Sequence, residues 1–291
     1  MIYTIQSELL QVSIKQKGME LCSIKNRIDE TEYLWQGNPS FWTGQAPILF
    51  PIIGLLKDNS TRIHGKEFAI PKHGIVRHSE QAVVKNHTSD SITFQLTYDE
   101  HSLLVYPFKF VLEITFSLEG KKLLISHCIQ NKGTTQMPFH LGGHPAFNCP
   151  INEDITYAHY FIEFENKENS VSWLLNEDGL ITDHSKPIFD SSSILRLNDT
   201  LFDEDALIFR DLKSSSATLK NDLVGEILRV DFEDFPYLGI WAKPKAPYVC
   251  IEPWIGIADH VDSNREFITK ERLMILDAGA EKEISYSISI Y

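Results

Sequence analysis

The stretch KFVLEITFSL, residues 109–118, alternates apolar with mostly polar side chains over its whole length. Every even-numbered position from 110 to 118 is Phe, Leu or Ile, and the odd-numbered positions between them are polar except Val111. Successive side chains of a β-strand point to opposite faces of a sheet, so a period of two describes a strand with one buried and one hydrated face. The stretch therefore predicts a half-buried strand of an antiparallel sheet.

The same alternation recurs from one end of the chain to the other. It is found in LLQVSIK (residues 9–15), SITFQLTY (91–98), ILRVDF (227–232) and ISYSISIY (284–291). No amphipathic helix longer than a few turns is evident, and strands do not alternate with helices as a parallel sheet requires. We therefore expect a mainly β fold in which residues 1–291 form a single domain of antiparallel strands in two packed sheets.

Composition and charge exclude several classes of protein. With 291 residues, of which 43% are hydrophobic, the chain can bury a substantial core. Its formal net charge of -13, with no cluster of Lys and Arg, argues against nucleic-acid or anionic-membrane partners. Residues 1–20 lack the basic start and apolar run of a signal peptide, and no segment resembles a transmembrane helix. We expect a protein that binds neither nucleic acid nor membrane.

The four cysteines are Cys22, Cys128, Cys149 and Cys250, which are far apart in the chain and include no CxxC pair. This scattering argues against a disulfide framework or a zinc site, and it favours reduced, buried thiols. We therefore expect a cytoplasmic protein.

The segment PFHLGGHPAFN, residues 138–148, places His140 and His144 in an HxxxH spacing. On a helix this spacing would suggest a metal site, but the intervening glycines and Pro145 make a helix improbable, and two nitrogens alone do not hold a metal. A strand that ends in a tight glycine turn, with one ring projecting from its rim, fits the residues better. A core histidine satisfied by a backbone carbonyl is the alternative that this segment alone leaves open.

Four further segments combine bulky apolar residues with an acid or a histidine, most of them beside Gly or Pro. They are PILFPIIGLLKDN (47–59), IPKHGIVRHSE (70–80), LFDEDALIF (201–209) and VCIEPWIGIAD (249–259). Together with GGHPAFN, and in this order, they resemble the aldose 1-epimerase (galactose mutarotase-like) family, and more closely its LacX-like branch, over nearly the whole chain. The resemblance implies an antiparallel β-supersandwich with a sugar-binding cleft. It also implies a reaction that interconverts the α and β anomers of a free hexose, such as galactose or glucose, without metal or organic cofactor.

The resemblance assigns four polar residues. Glu252 in IEPW matches the general base that takes the proton of the C1 hydroxyl, and His144 in GGHP matches the acid that protonates the ring oxygen. His73 in KHG matches a histidine that hydrogen-bonds the sugar near its ring oxygen. Asp205 in DEDALIF matches an acid that accepts hydrogen bonds from sugar hydroxyls. For Asp205 an ordinary acidic turn is the alternative, and for Glu252 a solvated carboxylate. His64 competes with His73, although IHGK favours a hairpin turn there.

Aromatic residues near these positions are candidates for stacking on the apolar face of a pyranose. We expect this role for Trp254, two residues after the predicted base, and for Phe147, three residues after the predicted acid. The other tryptophans, which are Trp35, Trp42, Trp173 and Trp241, are assigned to the core, and His140 is assigned a structural role.

One position departs from the branch. Leu55 stands in FPIIGLLKDN where an arginine that binds the sugar is common. Arg77 in HGIVRHS could supply a nearby cation for substrate binding, and a surface or structural ion pair is its alternative role. The missing arginine argues against a phosphorylated sugar, because a phosphate needs Arg or Lys donors in the cleft.

Three functions therefore remain in view. The first is a mutarotase acting on a free hexose, which depends on both Glu252 and His144. The second is a hexose-phosphate epimerase of the same superfold, which needs a basic patch at the cleft rim. The third is a carbohydrate-binding or sugar-sensing protein without catalysis. The acid and the base favour the first, while the sequence does not distinguish a monomer from a homodimer.

Overall fold

Strands dominate the computed structural model, which describes residues 1–151 and 155–291. In chain order they are β1 (Ile2–Gln6), β2 (Leu10–Lys15), β3 (Glu20–Asn26), β4 (Ile48–Leu49), β5 (Thr61–Ile63), β6 (Lys66–Phe68), β7 (Val83–His87), β8 (Ser91–Thr97), β9 (Phe110–Glu119), β10 (Lys122–Asn131), β11 (Met137–Phe139), β12 (Leu141–Gly143), β13 (Ala146–Asn148), β14 (Tyr160–Glu168), β15 (Val171–Leu175), β16 (Ile181–Pro187), β17 (Ser192–Arg196), β18 (Leu207–Phe209), β19 (Ser216–Asn221), β20 (Gly225–Asp231), β21 (Tyr237–Trp241), β22 (Tyr248–Ile255), β23 (Met274–Leu276) and β24 (Glu281–Ile290).

Helical structure is short. Helix α1 (Glu100–Val105) begins after Asp99, whose carboxylate accepts a hydrogen bond from the backbone N–H of Ser102. Single 3-10 turns span Lys17–Met19, Lys57–Asn59, Val76–His78, Tyr157–His159 and Phe267–Thr269. In the described part of the chain no helix is long and apolar enough to cross a membrane.

A nine-stranded antiparallel sheet forms one layer, in the order β17-β14-β19-β20-β24-β10-β9-β8-β7. Residues 110–118 belong to β9, in which the apolar side chains are buried and the polar ones between them are half-buried, as predicted. In the centre of the sheet Ile125 of β10 pairs with Phe116 of β9 and with Tyr286 of β24. All three side chains are buried, so this face of the sheet forms one wall of the core.

An eight-stranded sheet forms the second layer, in the order β16-β15-β18-β21-β22-β12-β4, with β13 also paired to β22. Every residue of β22 is buried, because both faces of this strand are covered. Ile251 of β22 belongs to the same apolar cluster as Ile125 of the nine-stranded sheet, so the core lies between the two layers. The antiparallel two-sheet architecture predicted from the sequence is confirmed.

The two glycines before His144 allow close packing on both faces of β12. A Cβ on Gly142 would lie 2.8 Å from the Trp254 ring, and one on Gly143 would lie 2.7 Å from the hydroxyl of Tyr286 in the opposite sheet. The strand ends at Gly143 as expected, but neither glycine adopts a left-handed φ, so the predicted tight glycine turn is wrong. The glycines are needed because aromatic rings occupy the space of their side chains.

A buried ion pair joins the segments that flank the end of β22. Asp259 and Lys270 contact each other with side chains only 2% and 3% exposed. The second carboxylate oxygen of Asp259 accepts a hydrogen bond of 3.0 Å from the backbone N–H of Lys57. The backbone of Asp259 also bonds to Leu55 and Ile181, at 2.9 Å each. Asp259 therefore connects four parts of the chain around one end of the eight-stranded sheet.

Replacing Lys270 with Met should destabilise the protein strongly, because it leaves the charge of Asp259 buried without its partner. We expect a loss of about 3–5 kcal/mol in the free energy of unfolding, measured by urea denaturation with tryptophan fluorescence. The double variant D259N/K270M removes both charges and should recover much of this loss. Equal destabilisation of the single and double variants would contradict the role given to the pair.

Candidate active site

A cleft with a cavity volume of about 240 Å³, partly open to solvent, lies on the eight-stranded sheet. Its floor includes Ile208 of β18, Trp241 of β21, and Glu252 and Trp254 of β22. Its walls come mostly from loops, with one residue from the end of β15 and one from a 3-10 turn, and they contribute Trp42, Ile53, Gly54, Lys72, His73, Arg77, His144, Leu175, Gly179, Asp205, Ala206 and Ala258. The cleft brings together the four polar residues assigned from the sequence, which lie up to 179 positions apart (252 minus 73).

Glu252 and His144 are in direct contact at the bottom of the cleft. His144 Nε2 lies 3.3 Å from Glu252 Oε2, and the two side chains are 10% and 2% exposed. The contact does not have hydrogen-bond geometry: within the described residues, Glu252 Oε2 and His144 Nδ1 are both buried without a hydrogen-bond partner. Buried polar atoms are nearly always paired, so two unpaired atoms in contacting residues are unusual and mark this pair as a candidate functional site.

Burial changes the protonation of this pair. It raises the pKa of Glu252 well above its ordinary value, against the opposing charge of Lys72. It lowers the pKa of His144 to about 3, and the positive charge of Arg77 adds to this effect. Both shifts favour the neutral forms of the two side chains, which are the protonated carboxyl group and the uncharged imidazole.

His73 is fixed by the backbone that surrounds it. Its Nδ1 accepts a hydrogen bond of 3.2 Å from the N–H of Gly54, so its Nε2 can donate to a ligand when the ring is neutral. Burial and the proximity of His144 lower its pKa well below 6.5. The φ angle of His73 is 64°, a left-handed conformation that is unusual for a residue other than glycine. Such conformations are concentrated at functional sites.

Asp205 lies in the turn before β18 with a φ of 77°, and it lines the cleft. One of its carboxylate oxygens accepts a hydrogen bond of 2.8 Å from the N–H of Ala206. The side chain is exposed, so the carboxylate can accept hydrogen bonds from a ligand. His64 lies in the turn between β5 and β6, as its sequence suggested, and does not line the cleft.

The aromatic residues of the cleft differ in part from the prediction. Trp254 lines the cleft as expected, but Phe147 is fully buried in the core and cannot contact a sugar, so that assignment is wrong. Trp42 and Trp241 were assigned to the core and instead line the cleft. The Trp42 ring stacks on His144 with centroids 4.8 Å apart and planes at 26°, and Trp241 meets the same ring edge-on at 5.8 Å.

The remaining assignments concern structural positions. Trp35 is buried in the core, as predicted. Trp173 is half-buried, and the guanidinium of Arg210 lies over its ring at 4.0 Å. His140 is fully buried, and its Nε2 lies 2.8 Å from the carbonyl oxygen of Glu271, which supports the structural role. Leu55 is half-buried at the edge of the cleft beside Gly179.

Two cations line the cleft. Arg77 is half-buried, and Lys72 is exposed and directly precedes His73. Lys72 is absent from the residues assigned from the sequence, although its position next to His73 in KHG is a signal that could identify it. Together with Arg77, it places two basic side chains at the cleft.

The described residues that could hold a metal include a group of His144, Cys250 and Glu252, whose potential ligand atoms all lie within 4.8 Å of one another. A thiol binds metal as the thiolate, and burial raises the pKa of Cys250 well above its ordinary value. This group is therefore better suited to proton transfer between Glu252 and His144 than to metal binding. All four cysteines are free.

Comparison with known proteins identifies relatives that match along the whole chain. The sequence model of the aldose 1-epimerase family matches residues 1–275. The plasmid and chromosomal forms of protein LacX from Lactococcus lactis subsp. lactis are each 35% identical to this chain over 300 residues, covering 100% of it and 99% of the relative.

Solved structures agree with the sequence relatives. A galactose mutarotase related enzyme from Lactobacillus acidophilus superposes with a TM-score of 0.93 at 33% identity, covering 100% of this chain and 97% of the other. A galactose mutarotase-like protein from Lactobacillus casei superposes with a TM-score of 0.94 at 28% identity, covering 100% of both chains. The predicted galactose mutarotase-like fold is confirmed, and the chain belongs to the aldose 1-epimerase family.

Proposed function

We propose that the protein is an isomerase that interconverts the α and β anomers of an aldohexose by opening and closing its ring. The contact between Glu252 and His144 carries this proposal. Ring opening removes a proton from the C1 hydroxyl while the ring oxygen gains one. These two oxygens are bonded to the same carbon, so the base and the acid must lie close together. The distance of 3.3 Å between Glu252 Oε2 and His144 Nε2 meets this requirement.

Glu252 is the proposed base and His144 the proposed acid. For ring opening, the single proton of the pair first passes across the 3.3 Å contact from Glu252 to His144. Glu252 then takes the hydroxyl proton while the protonated His144 gives its proton to the ring oxygen. The pair then consists of a protonated Glu252 and a neutral His144, which is the state that burial favours. After the carbonyl group rotates, the reverse transfers close the ring with the opposite configuration at C1. The number of protons on the pair is one throughout.

The other cleft residues hold the sugar in place for these transfers. His73 Nε2 is proposed to donate a hydrogen bond near the ring oxygen, and Asp205 is proposed to accept hydrogen bonds from hydroxyl groups. Trp254 offers an apolar surface to the sugar ring. The rings of Trp42 and Trp241 restrict the orientation of His144. Such positioning matters because small displacements of a reacting group lower the rate steeply.

The variants E252Q and H144N should each lower the rate of anomer exchange about a hundredfold or more, because each removes a group that transfers a proton. The measurement is polarimetry on freshly dissolved α-D-glucose and α-D-galactose, with ¹H NMR exchange between anomeric protons for sugars that are available only at equilibrium. Thermal unfolding of each variant shows whether its fold is intact. E119Q and H101N make the same changes at exposed residues outside the cleft and are the matched controls.

A sugar-binding protein without catalysis would give a different result. Its wild type would not accelerate exchange of any aldose above the buffer rate, although sugars would still quench the fluorescence of the cleft tryptophans. That outcome would reject the isomerase proposal and favour the sensing function. L55R would then be the first variant in which to look for a gain of catalysis.

The pH dependence of kcat/KM should also differ from the one expected if His144 had the pKa of an ordinary histidine. Because the pKa of His144 is lowered to about 3, the free pair gains a second proton only near that pH. Because the pKa of Glu252 is raised, the pair keeps its single proton above the usual range of a carboxyl group. After subtraction of the buffer rate, we expect kcat/KM to show no transition of His144 near pH 6.5 and to fall at low pH only as the pair gains its second proton near pH 3. A transition centred near pH 6.5 would show that His144 titrates as an unperturbed imidazole.

A further inference from the structure

The indole of Trp42 is stacked on the imidazole of His144. The ring centroids are 4.8 Å apart and the planes meet at 26°, so the two rings lie face to face. His73 and Trp241 also contact this imidazole, but at 5.7 and 5.8 Å and with planes at 80° and 90°. Trp42 is therefore the aromatic residue whose face covers the proposed acid.

Several contacts fix the position of the Trp42 ring. The carbonyl oxygen of Trp42 accepts a hydrogen bond of 2.9 Å from the indole N–H of Trp35. The backbone N–H of Trp42 donates a hydrogen bond of 2.9 Å to the carbonyl oxygen of Asn38. The rings of Trp241 and Tyr248 lie 5.7 and 5.9 Å from the Trp42 ring, measured between centroids. The stacking on His144 is thus set by the protein itself rather than by a ligand.

The backbone of Gly44 packs directly on the Trp42 ring. A Cβ at this position would lie 2.4 Å from Cζ2, 2.7 Å from Cε2 and 2.9 Å from Cη2 of Trp42. Gly44 does not adopt a left-handed φ, so its own backbone conformation is open to alanine. The Trp42 ring is therefore what excludes a side chain at position 44, and a methyl group there would displace that ring from His144.

The proposed mechanism needs a protonated His144 where burial opposes it. Burial and the charge of Arg77 lower the pKa of His144 to about 3. Ionised Glu252, 3.3 Å away, compensates the positive charge only until it takes the proton of the C1 hydroxyl. A cation is also attracted to the electron-rich face of an aromatic ring, most strongly to tryptophan and where water is excluded. A stacked indole therefore suits an imidazolium at this buried position.

We propose that Trp42 is a positioning residue whose indole face stabilises the protonated form of His144 during proton transfer. This inference rests on the proposed function, which requires His144 to carry the proton. The centroid distance of 4.8 Å lies within the range of about 6 Å over which such attractions act. A ring that only restricted the orientation of His144 would act through its shape. The electron density of the ring therefore distinguishes the two roles.

The test changes the electron density of the Trp42 ring and keeps its shape. Site-specific incorporation of tryptophan with one, two or four fluorine atoms on its six-membered ring weakens the negative face stepwise. We expect kcat for anomer exchange, measured by ¹H NMR with glucose and galactose, to fall with each step and by about tenfold in the tetrafluoro protein. KM should change by less than about twofold, because the lost interaction forms only with protonated His144. The same series at Trp173, which is half-buried outside the cleft, is the matched control and should leave kcat unchanged.

Ordinary substitutions provide a second, independent measurement. W42F keeps an aromatic face of weaker attraction and W42L keeps only apolar bulk, so kcat should fall in the order wild type, W42F, W42L. G44A should also lower kcat, because it displaces the Trp42 ring while leaving both stacked residues in the sequence. Thermal unfolding shows whether each variant is folded. Equal kcat values for W42F and W42L would contradict the electrostatic role.

The outcomes separate this inference from the proposed function. A fall of kcat that follows the fluorine count at position 42, and not at position 173, supports the role of Trp42. With an active wild type, a kcat that is constant across the series overturns the inference and leaves the mutarotase proposal intact. An effect confined to KM also overturns it, because the ring would then act on the bound sugar. If the wild type accelerates exchange of neither sugar, the proposed function fails for these hexoses and the inference fails with it.

Discussion

The structure depends on burying a carboxyl group and an imidazole in contact with each other. Strand β22 is covered on both faces, and Glu252 is the one acid within it. An acid at this position destabilises the fold, because a carboxylate loses its hydration there. Beside His144 the same burial favours the neutral forms of both groups and keeps them close enough to exchange a proton. The surrounding cleft keeps these groups in place.

Distant segments of the chain build this environment through close packing. His144 follows β12, which ends in two glycines. Its ring packs against the indoles of Trp42 and Trp241. His73 is fixed by the backbone of Gly54. The ion pair of Asp259 with Lys270 connects the loops at the neighbouring edge of the cleft. The geometry of the proposed proton transfer thus rests on contacts between residues that are remote in sequence.

The parts of this structure that the sequence predicted are those encoded locally. Alternation such as that in residues 109–118 identifies a strand without knowledge of its neighbours. Residue types around Glu252 and His144 were recognisable because of short motifs. The role of a tryptophan depends instead on which strands meet, so Trp42 and Trp241 could not be distinguished from core residues. Phe147 follows His144 by an odd number of positions in extended chain and points away from the cleft.

The glycines of β12 limit which mutations could adapt the cleft to a new substrate. Trp254 presses on one face of this strand and Tyr286 on the other, each in the space that a side chain would fill. The floor of the cleft and the wall of the core are therefore one layer of backbone. A mutation that enlarges the cleft at this point also loosens the packing between the sheets. New substrates are consequently more accessible by altering the loops at the rim, where Lys72 and Asp205 lie, than by altering the floor.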